Sequence, residues 1–293
     1  MGHAPQLASR LIRSDQHDDG VNCWAMQHFA SAVPLTGLVH SYCDYSEQTR
    51  GFSTRRELPH PEGVLIFNLG SDVAITGGNG RDLRLRPGQA FLAGIHLRPA
   101  LSSSPGFQAG VQVELPISTL RRILGESMEA FVDEVAPLEA ALTAVGEQLL
   151  NAATVEERIG LLDTAFSQSL AVAKPIDPRQ RAALRMLRVR PELDIAEIAQ
   201  QVGWSRKHLA DRVRDVTGVG PRSFRRLVRF QALTRALTRS FAKMGQVDWA
   251  ATAMEHGYCD QSHMIREFRE FAGMTPSTFL ARLLKNGGRL VED

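Results

Sequence analysis

The sequence has 293 residues, 43% of them hydrophobic, and its 34 basic and 32 acidic side chains leave a net charge of +2. A chain of this length usually forms about two domains. No apolar run approaches the roughly 20 residues of a membrane helix, and residues 1–13 lack the apolar core of a signal peptide. Cys23, Cys43 and Cys259 are too scattered for a disulfide framework or a paired zinc site. These features predict a cytoplasmic protein that needs no membrane, metal or disulfide.

Short apolar segments recur between Ala25 and Leu115, separated by turn-forming Gly, Asn and Pro as in GGNG at 77–80. The clearest segments are VLIFNL at 64–69, VAIT at 73–76, AFLAG at 90–94 and GVQVEL at 110–115. Many short strands with frequent turns are typical of a small β-barrel or sandwich.

Helical periodicity begins after Pro116 and predicts helices over 117–125, about 126–152 and 155–173. Such amphipathic helices either pair two protomers in a homodimer or cover the sheet of their own protomer, and both interpretations stay open. Residues 174–179, which include two prolines, have the composition of a linker. The sequence therefore predicts an α+β protein with a β-rich domain over 1–173 and an all-α domain over 174–293.

The charges are distributed unevenly along the chain. Residues 174–285 contain 21 Lys and Arg against 11 Asp and Glu, whereas the remainder contains 13 basic and 21 acidic residues. The C-terminal segment is thus +10 and the rest is −8. This asymmetry favours binding of a polyanion by the C-terminal domain, because neutralised phosphates release condensed counterions.

The basic segment also contains an internal repeat. Residues 194–204 match residues 248–258 at a constant offset of 54, and residues 208–224 match residues 263–279 at an offset of 55. The matched pairs are Asp194 with Asp248, Ile195 with Trp249, Ala199 with Ala253, Gly203 with Gly257, Trp204 with Tyr258, His208 with His263, Leu209 with Met264, Val213 with Phe268, Gly218 with Gly273, Pro221 with Pro276 and Phe224 with Phe279.

Each copy has the sequence of a helix, a tight turn and a second helix. An Asp caps the first helix, and Glu197 completes a capping-box pattern with Asp194 in the first copy. A Gly permits the left-handed turn, and apolar residues spaced by four and three then mark one buried face of the second helix. Gly218 and Gly273 suit the end of that second helix.

Both copies resemble the C-terminal DNA-binding domain of AraC-type transcription regulators, over about residues 176–284. The second copy, GYCDQSHMIREFREFAGMTPSTF at 257–279, follows the family signature closely. The first copy, IAQQVGWSRKHLADRVRDVTGVGP at 198–221, has Val213 where the family commonly has Phe. The resemblance implies two helix-turn-helix units, joined by a long helix from Ser223 to about Ala242, whose recognition helices enter successive major-groove segments of double-stranded DNA.

The residues that start each recognition helix, or that face away from its buried side, are the predicted DNA contacts. In the first copy they are Ser205, Arg206, Lys207, Ala210 and Asp211, and in the second Asp260, Gln261, Ser262, His263 and Arg266. Arg266 suits guanine O6 and N7, and Gln261 suits adenine N6 and N7. Each of them has the alternative of a phosphate contact or a solvated side chain. The acidic Asp211 is poorly suited to phosphate contact, so the first unit either reads cytosine N4 or contributes less to affinity than the second unit.

The β-rich segment is similar to the sensor domains that precede this module in the family, which implies a small-molecule effector. Arg50, Arg55 and Arg56 form a charged patch that could meet an anionic effector, or lie in a solvated loop. Trp24, Phe67, Phe91 and Phe107 could line an apolar cavity or pack in the core. The alternative is a constitutive DNA-binding protein whose N-terminal domain only assembles a homodimer. The sequence leaves activator and repressor open, and an activator would also contact RNA polymerase.

Catalysis is not expected. The sequence has no Gly-x-Ser-x-Gly elbow, phosphate-binding loop or HExxH helix. His28, His40, His60 and His96 are isolated rather than paired as in metal-binding barrels. We therefore predict neither an enzyme nor a cofactor or metal site.

Overall fold

The computed structural model of the protein describes residues 9–51, 53–138, 142–244, 247–285 and 290–292. Its N-terminal region is rich in β-strands. They are β1 Leu11–Asp18, β2 Cys23–Ala30, β3 Ser41–Gln48, β4 Ser53–Glu57, β5 Glu62–Asn68, β6 Val73–Thr76, β7 Asp82–Leu85, β8 Ala90–Ala93, β9 Ala100–Ser104, β10 Phe107–Pro116 and β11 Val135–Pro137. All four segments that the sequence singled out lie in strands, except that Leu69 and Gly94 fall one residue beyond β5 and β8.

The strands form two antiparallel sheets. The large sheet has the order β1-β2-β3-β10-β5-β8-β11, and the small sheet has the order β4-β9-β6-β7. Among the described strands, no hydrogen-bonded ladder joins one sheet to the other, so the region is an open sandwich rather than a closed barrel. This confirms the predicted α+β class and decides between the two β architectures.

Alternation along the strands gives the large sheet two different faces. On β10, Val111 and Val113 are fully buried toward the helical side, whereas Gln108 and Gln112 point into the space between the sheets. The helix over 155–172 covers the helical side, where its Asp163 accepts a hydrogen bond of 2.9 Å from the Tyr42 hydroxyl. This helix therefore covers the sheet of its own protomer.

The helices of the chain follow the sheets. They are α1 Ile117–Leu124, α2 Thr143–Asn151, α3 Val155–Val172, α4 Pro178–Val189, α5 Ile195–Gln201, α6 Arg206–Thr217, α7 Pro221–Met244, α8 Trp249–Glu255, α9 Gln261–Ala272 and α10 Pro276–Lys285. None of the described helices is long and apolar enough to cross a membrane.

The predicted helix over 126–152 is wrong in its first half. A 3-10 turn at Met128–Phe131 and strand β11 occupy that part, while residues 139–141 lie outside the described residues. Asp133 adopts a left-handed φ of 58°, and its carboxylate accepts hydrogen bonds from the backbone of Leu97 and Arg98. Pro137 cannot donate within a helix, and pairing of this segment with β8 outweighs its helical periodicity.

The C-terminal region confirms the local prediction closely. Asp194 and Glu197 form the capping box, and the left-handed Gly218 and Gly273 end the two recognition helices α6 and α9. The long helix α7 contains the whole predicted range 223–242.

One hydrophobic cluster extends through both regions. It includes Leu65, Leu115 and Phe166 of the N-terminal region as well as Phe224 and Phe268 of the C-terminal region. The segment between α3 and α4 falls where the linker is predicted, and the division into domains at 173 and 174 stays a prediction.

Candidate nucleic-acid interface

The first recognition helix, α6, buries one side and exposes the other. Leu209, Val213 and Val216 are fully buried against the rest of the first unit. The Ser205 hydroxyl accepts a hydrogen bond of 3.1 Å from the backbone of His208 and so caps the helix. This cap fixes the first turn of α6, where its exposed side chains begin.

The second recognition helix, α9, is built in the same way. Met264, Phe268 and Phe271 are buried, and the Asp260 carboxylate accepts a hydrogen bond of 2.7 Å from the backbone of His263. The side chains of Ser205 and Asp260, both predicted to contact DNA, are therefore already committed to helix capping in the free protein.

The other predicted contacts divide by exposure. Ala210 and His263 are half-buried, and the His263 ring meets Tyr258 edge-on with its centre 5.3 Å away. The remaining side chains are exposed on the two recognition helices, namely Arg206, Lys207 and Asp211 on α6 and Gln261, Ser262 and Arg266 on α9. The structure thus places three predicted contacts of each unit on a surface open to a partner.

Each recognition helix carries a further arginine that was not among the contacts predicted from the sequence. On α9, Ser262, Arg266 and Arg269 line one shallow surface depression of about 490 Å³ together with Ile265 and Glu270. Arg214 of α6 stands at the position equivalent to Arg269, at the same offset of 55. Arg266 follows Ser262 by four residues and Arg269 follows Arg266 by three. Residues with this spacing share one helix face, so the sequence contained the signal that places Arg269 beside Arg266.

A buried ion cluster fixes α9 against α7. Glu267, only 3% exposed, accepts hydrogen bonds from Arg226 at 2.8 Å and from Arg229 at 2.6 and 3.1 Å. The Arg229 guanidinium also lies 4.5 Å from the centre of the Tyr258 ring. Burial raises the pKa of Glu267, but the hydrogen bonds from Arg229 and Arg226 outweigh it and leave the pKa below its usual value. The carboxylate therefore stays charged and holds the second unit together.

The first unit uses different contacts at the equivalent place. Arg212 stands where the second unit has Glu267, and its carbonyl accepts a hydrogen bond of 2.6 Å from the Gln180 amide. The Arg179 guanidinium lies 5.3 Å from the centre of the Trp204 ring, and Trp204 meets His208 edge-on. The two units share a backbone pattern but differ in the polar contacts that support it.

A cavity of about 390 Å³ lies between the two sheets of the N-terminal region. One part of its wall is apolar and includes Val73, Ile75 and Phe91. Another part is polar and includes Gln108 and His96, which are 5% and 7% exposed. The buried Gln108 amide nitrogen has no hydrogen-bond partner among the described residues.

The three predicted effector-binding arginines do not converge. Arg55 lines the cavity and pairs with Glu47, whereas Arg56, on the opposite face of β4, pairs with Glu292. Arg50 is exposed in the turn before β4. Of the four aromatic residues proposed as lining, Phe91 lines the cavity, Phe67 is buried in the core, Trp24 is half-buried and Phe107 is exposed.

Three histidines also line this cavity. Burial lowers the pKa of His28, His60 and His96 below its usual value. Within the described part of the chain, no group of three or more His, Cys, Asp or Glu residues is arranged to hold a metal ion.

The polar part of the cavity wall reaches the C-terminal helices. Glu62 accepts hydrogen bonds from Arg188 of α4, one of them at 3.2 Å, and the His60 ring contacts the amide of Gln231 on α7. The same wall residues therefore face the cavity and the helices that carry the recognition surface.

Two helix-turn-helix units joined by one long helix, each with a capped and half-exposed recognition helix, define a double helix-turn-helix DNA-binding protein. Residues 198–282 match the family model described as a helix-turn-helix domain, and this match spans both units. The C-terminal region of the chain therefore contains an AraC-type helix-turn-helix domain.

Several solved structures resemble the chain at low sequence identity. ToxT from Vibrio cholerae is 12% identical with a TM-score of 0.47, over 78% of this chain and 93% of ToxT. The AraC-like transcriptional activator CuxR is 16% identical with a TM-score of 0.34, over 76% of this chain and 86% of CuxR. The transcriptional regulator CdpR from Pseudomonas aeruginosa is 19% identical with a TM-score of 0.30, over 58% of this chain and 45% of CdpR. No curated protein sequence matches the chain.

Proposed function

We propose that the protein reads a specific DNA sequence by inserting α6 and α9 into successive major-groove segments. The observation that carries this proposal is that both helices bury one side and present polar side chains on the other, within an AraC-type domain. The proposed contacts are Arg206, Lys207, Ala210 and Asp211 on α6 and Gln261, Ser262, His263 and Arg266 on α9, with Ser205 and Asp260 as helix caps near the DNA.

The exposed side chains suggest distinct roles in this reading. Arg266 has the forked donors that match guanine O6 and N7, and Gln261 has the amide that matches adenine. The Asp211 carboxylate can only accept hydrogen bonds, so it suits the cytosine N4 donor, and its negative charge is repelled by phosphate. Arg214 and Arg269, farther along each helix, suit phosphate contacts.

Selection of bound sequences from random duplexes by the full-length protein tests this proposal. We expect two short sequence blocks about one helical turn, roughly 10 base pairs, apart. A salt titration on the selected duplex should show the steep loss of affinity expected for phosphate contacts. Recovery of a single block, or of none, with well-folded protein would contradict reading by both units.

We further propose that a small molecule bound between the two sheets controls this DNA binding. The cavity is within the roughly 300–1,000 Å³ range of ligand sites, and its wall includes both apolar side chains and polar groups. The Gln108 amide nitrogen and the Arg55 Nε are buried without hydrogen-bond partners among the described residues, which favours a ligand with acceptor oxygens such as a carboxylate. Contacts from the cavity wall to Arg188 and Gln231 provide a route to the DNA-binding region.

Thermal unfolding in the presence of small carboxylates, together with native mass spectrometry, tests the effector proposal. A ligand that binds the folded state raises the unfolding temperature, and Gln108→Leu should abolish that shift while leaving the apo protein folded. The alternative is a constitutive DNA-binding protein whose N-terminal region only assembles a homodimer. No ligand-dependent shift, together with a dimer in light scattering, would favour that alternative. Contact with RNA polymerase is proposed only if the protein proves to be an activator.

A further inference from the structure

The glycines that end the two recognition helices occupy equivalent positions and both meet the N-terminal region. Gly218 ends α6 with a φ of 78°, and Gly273 ends α9 with a φ of 70°. This left-handed conformation favours glycine at both places. The neighbours of each glycine belong to different elements of the N-terminal region, so the two helices are held at matching points by unrelated contacts.

The contact at the end of α6 involves α1 and the turn that follows it. A side chain at Gly218 would lie within 2.5 Å of Val132 and 2.6 Å of the Met128 carbonyl. Less than one helical turn earlier, the Asp215 carboxylate accepts hydrogen bonds from Arg121 of α1 at 3.2 and 3.3 Å. The bidentate pair fixes the direction of α6 as well as its distance from α1.

The contact at the end of α9 involves strand β4. A side chain at Gly273 would lie within 2.7 Å of the Arg56 guanidinium, which donates to the Ala272 carbonyl at 3.4 Å. Arg56 is held in place by Glu292, which also accepts a hydrogen bond of 3.2 Å from Arg282 of α10.

The last described residues of the chain reinforce this second contact. The backbone of Arg56 donates to Leu290 at 2.8 Å, and that of Glu292 donates to Thr54 at 2.8 Å. Residues 290–292 therefore extend the free edge of the small sheet at β4. The second unit is thus tied to the N-terminal region by backbone as well as side-chain bonds.

We propose that the N-terminal region braces the two recognition helices, and that Arg121 and Arg56 are positioning residues that set which spacing of the two DNA blocks the protein accepts. One added base pair rotates the second block by about 34° and moves it by about 3.4 Å. A pair of helices joined by α7 alone would adapt to such a change more readily than a pair that is also fixed at two ends. This inference rests on the proposed reading of DNA by both units.

The test uses the full-length double variant Arg56→Gln with Arg121→Gln and a set of duplexes. The duplexes carry the two selected blocks at the selected spacing, at spacings one and two base pairs longer or shorter, and with one block scrambled. The wild type should prefer its own spacing by about tenfold or more, because a tethered unit that cannot reach its block adds no effective concentration. The double variant should bind all spacings within about threefold of one another and should bind the single-block duplexes like the wild type.

The matched control is Arg81→Gln, which removes an exposed ion pair with Glu134 inside the N-terminal region and should leave the spacing preference unchanged. If the double variant is poorly folded, the variant Asp215→Asn with Glu292→Gln replaces it. These substitutions weaken the same two ion pairs by changing the carboxylate partners of Arg121 and Arg56. A folded variant that keeps the wild-type spacing preference would overturn the brace. A wild type that binds single-block duplexes as tightly as double-block ones would instead refute the proposed two-unit reading.

Discussion

The two helix-turn-helix units have the same backbone pattern but expose different side chains to a partner. At equivalent positions, α9 exposes Arg266 where α6 exposes Asp211. The second unit is supported by the buried Glu267, whereas the first has Arg212 at that place. The repeat thus preserves caps, glycine turns and a buried face, while the exposed and supporting polar residues differ between the two units. We therefore expect the second unit to contribute more to sequence reading and to depend more on its ion cluster.

The largest expected effect comes from removing the carboxylate of the second unit. Glu267→Ala should lower the free energy of unfolding by about 3–5 kcal/mol, because it leaves Arg226 and Arg229 without their shared partner. Glu270→Ala removes the exposed carboxylate that also pairs with Arg226, and it should cost less than about 1 kcal/mol. Urea unfolding measures both. Equal losses would mean that the buried cluster does not stabilise the second unit more than an ordinary surface pair.

A smaller effect is expected from the equivalent exposed residues. Arg266→Ala should weaken binding to the selected duplex by about 1–3 kcal/mol and relax one base position, since it removes a forked donor. Asp211→Ala should cost little and could strengthen binding, because it removes a negative charge near phosphates. Titrations on selected and random duplexes measure both variants. An equal loss on the two duplexes would reassign Arg266 to phosphate contact.

The missed arginines should show a weaker effect that depends on salt. Arg269→Ala should weaken binding to all duplexes alike and lower the slope of log affinity against log salt by about 1. Arg214→Ala tests the equivalent position, where Asp211 lies 3.6 Å away and competes for the guanidinium. We expect a smaller change of slope for Arg214. An unchanged slope for Arg269→Ala would remove this residue from the phosphate contacts.

Glu267 should make the free energy of unfolding depend on pH only under acidic conditions. The pKa of Glu267 is lower in the folded protein than its usual value, so its contribution is fully present above the unfolded-state pKa of about 4.3. That contribution is lost as the pH falls through the folded-state pKa. Glu267→Gln should therefore flatten the decline of unfolding free energy as the pH falls below about 4.3. Parallel curves for variant and wild type would contradict a charged Glu267 at neutral pH.

The C-terminal region was predictable because its helix ends and turns are determined by residues close together in the sequence. Asp194, Asp248 and the glycine turns act within a few residues, and they appear in the structure as helix caps and left-handed turns. The Glu267 cluster was not predictable, because it joins α9 to residues about 40 positions earlier on α7. A single sequence contains no signal for that pairing.

The N-terminal region was predictable only where strands are apolar. Strand β1, with the sequence LIRSDQHD, is largely exposed, and strand β4, with the sequence STRRE, resembles a charged loop until it pairs with β9. The three arginines therefore looked like one patch, although strand alternation sends Arg55 and Arg56 to opposite faces. The cavity arises from two sheets that come together in space, which no local pattern encodes.

The two units are compared most directly by the affinity of the full-length protein for its selected duplex with one block scrambled at a time. The block read by α9 is identified as the one that contains the base position relaxed in Arg266→Ala. We predict that scrambling this block costs the wild type more affinity than scrambling the block read by α6. An equal loss, or a greater loss for the α6 block, would contradict the claim that the second unit contributes more to sequence reading.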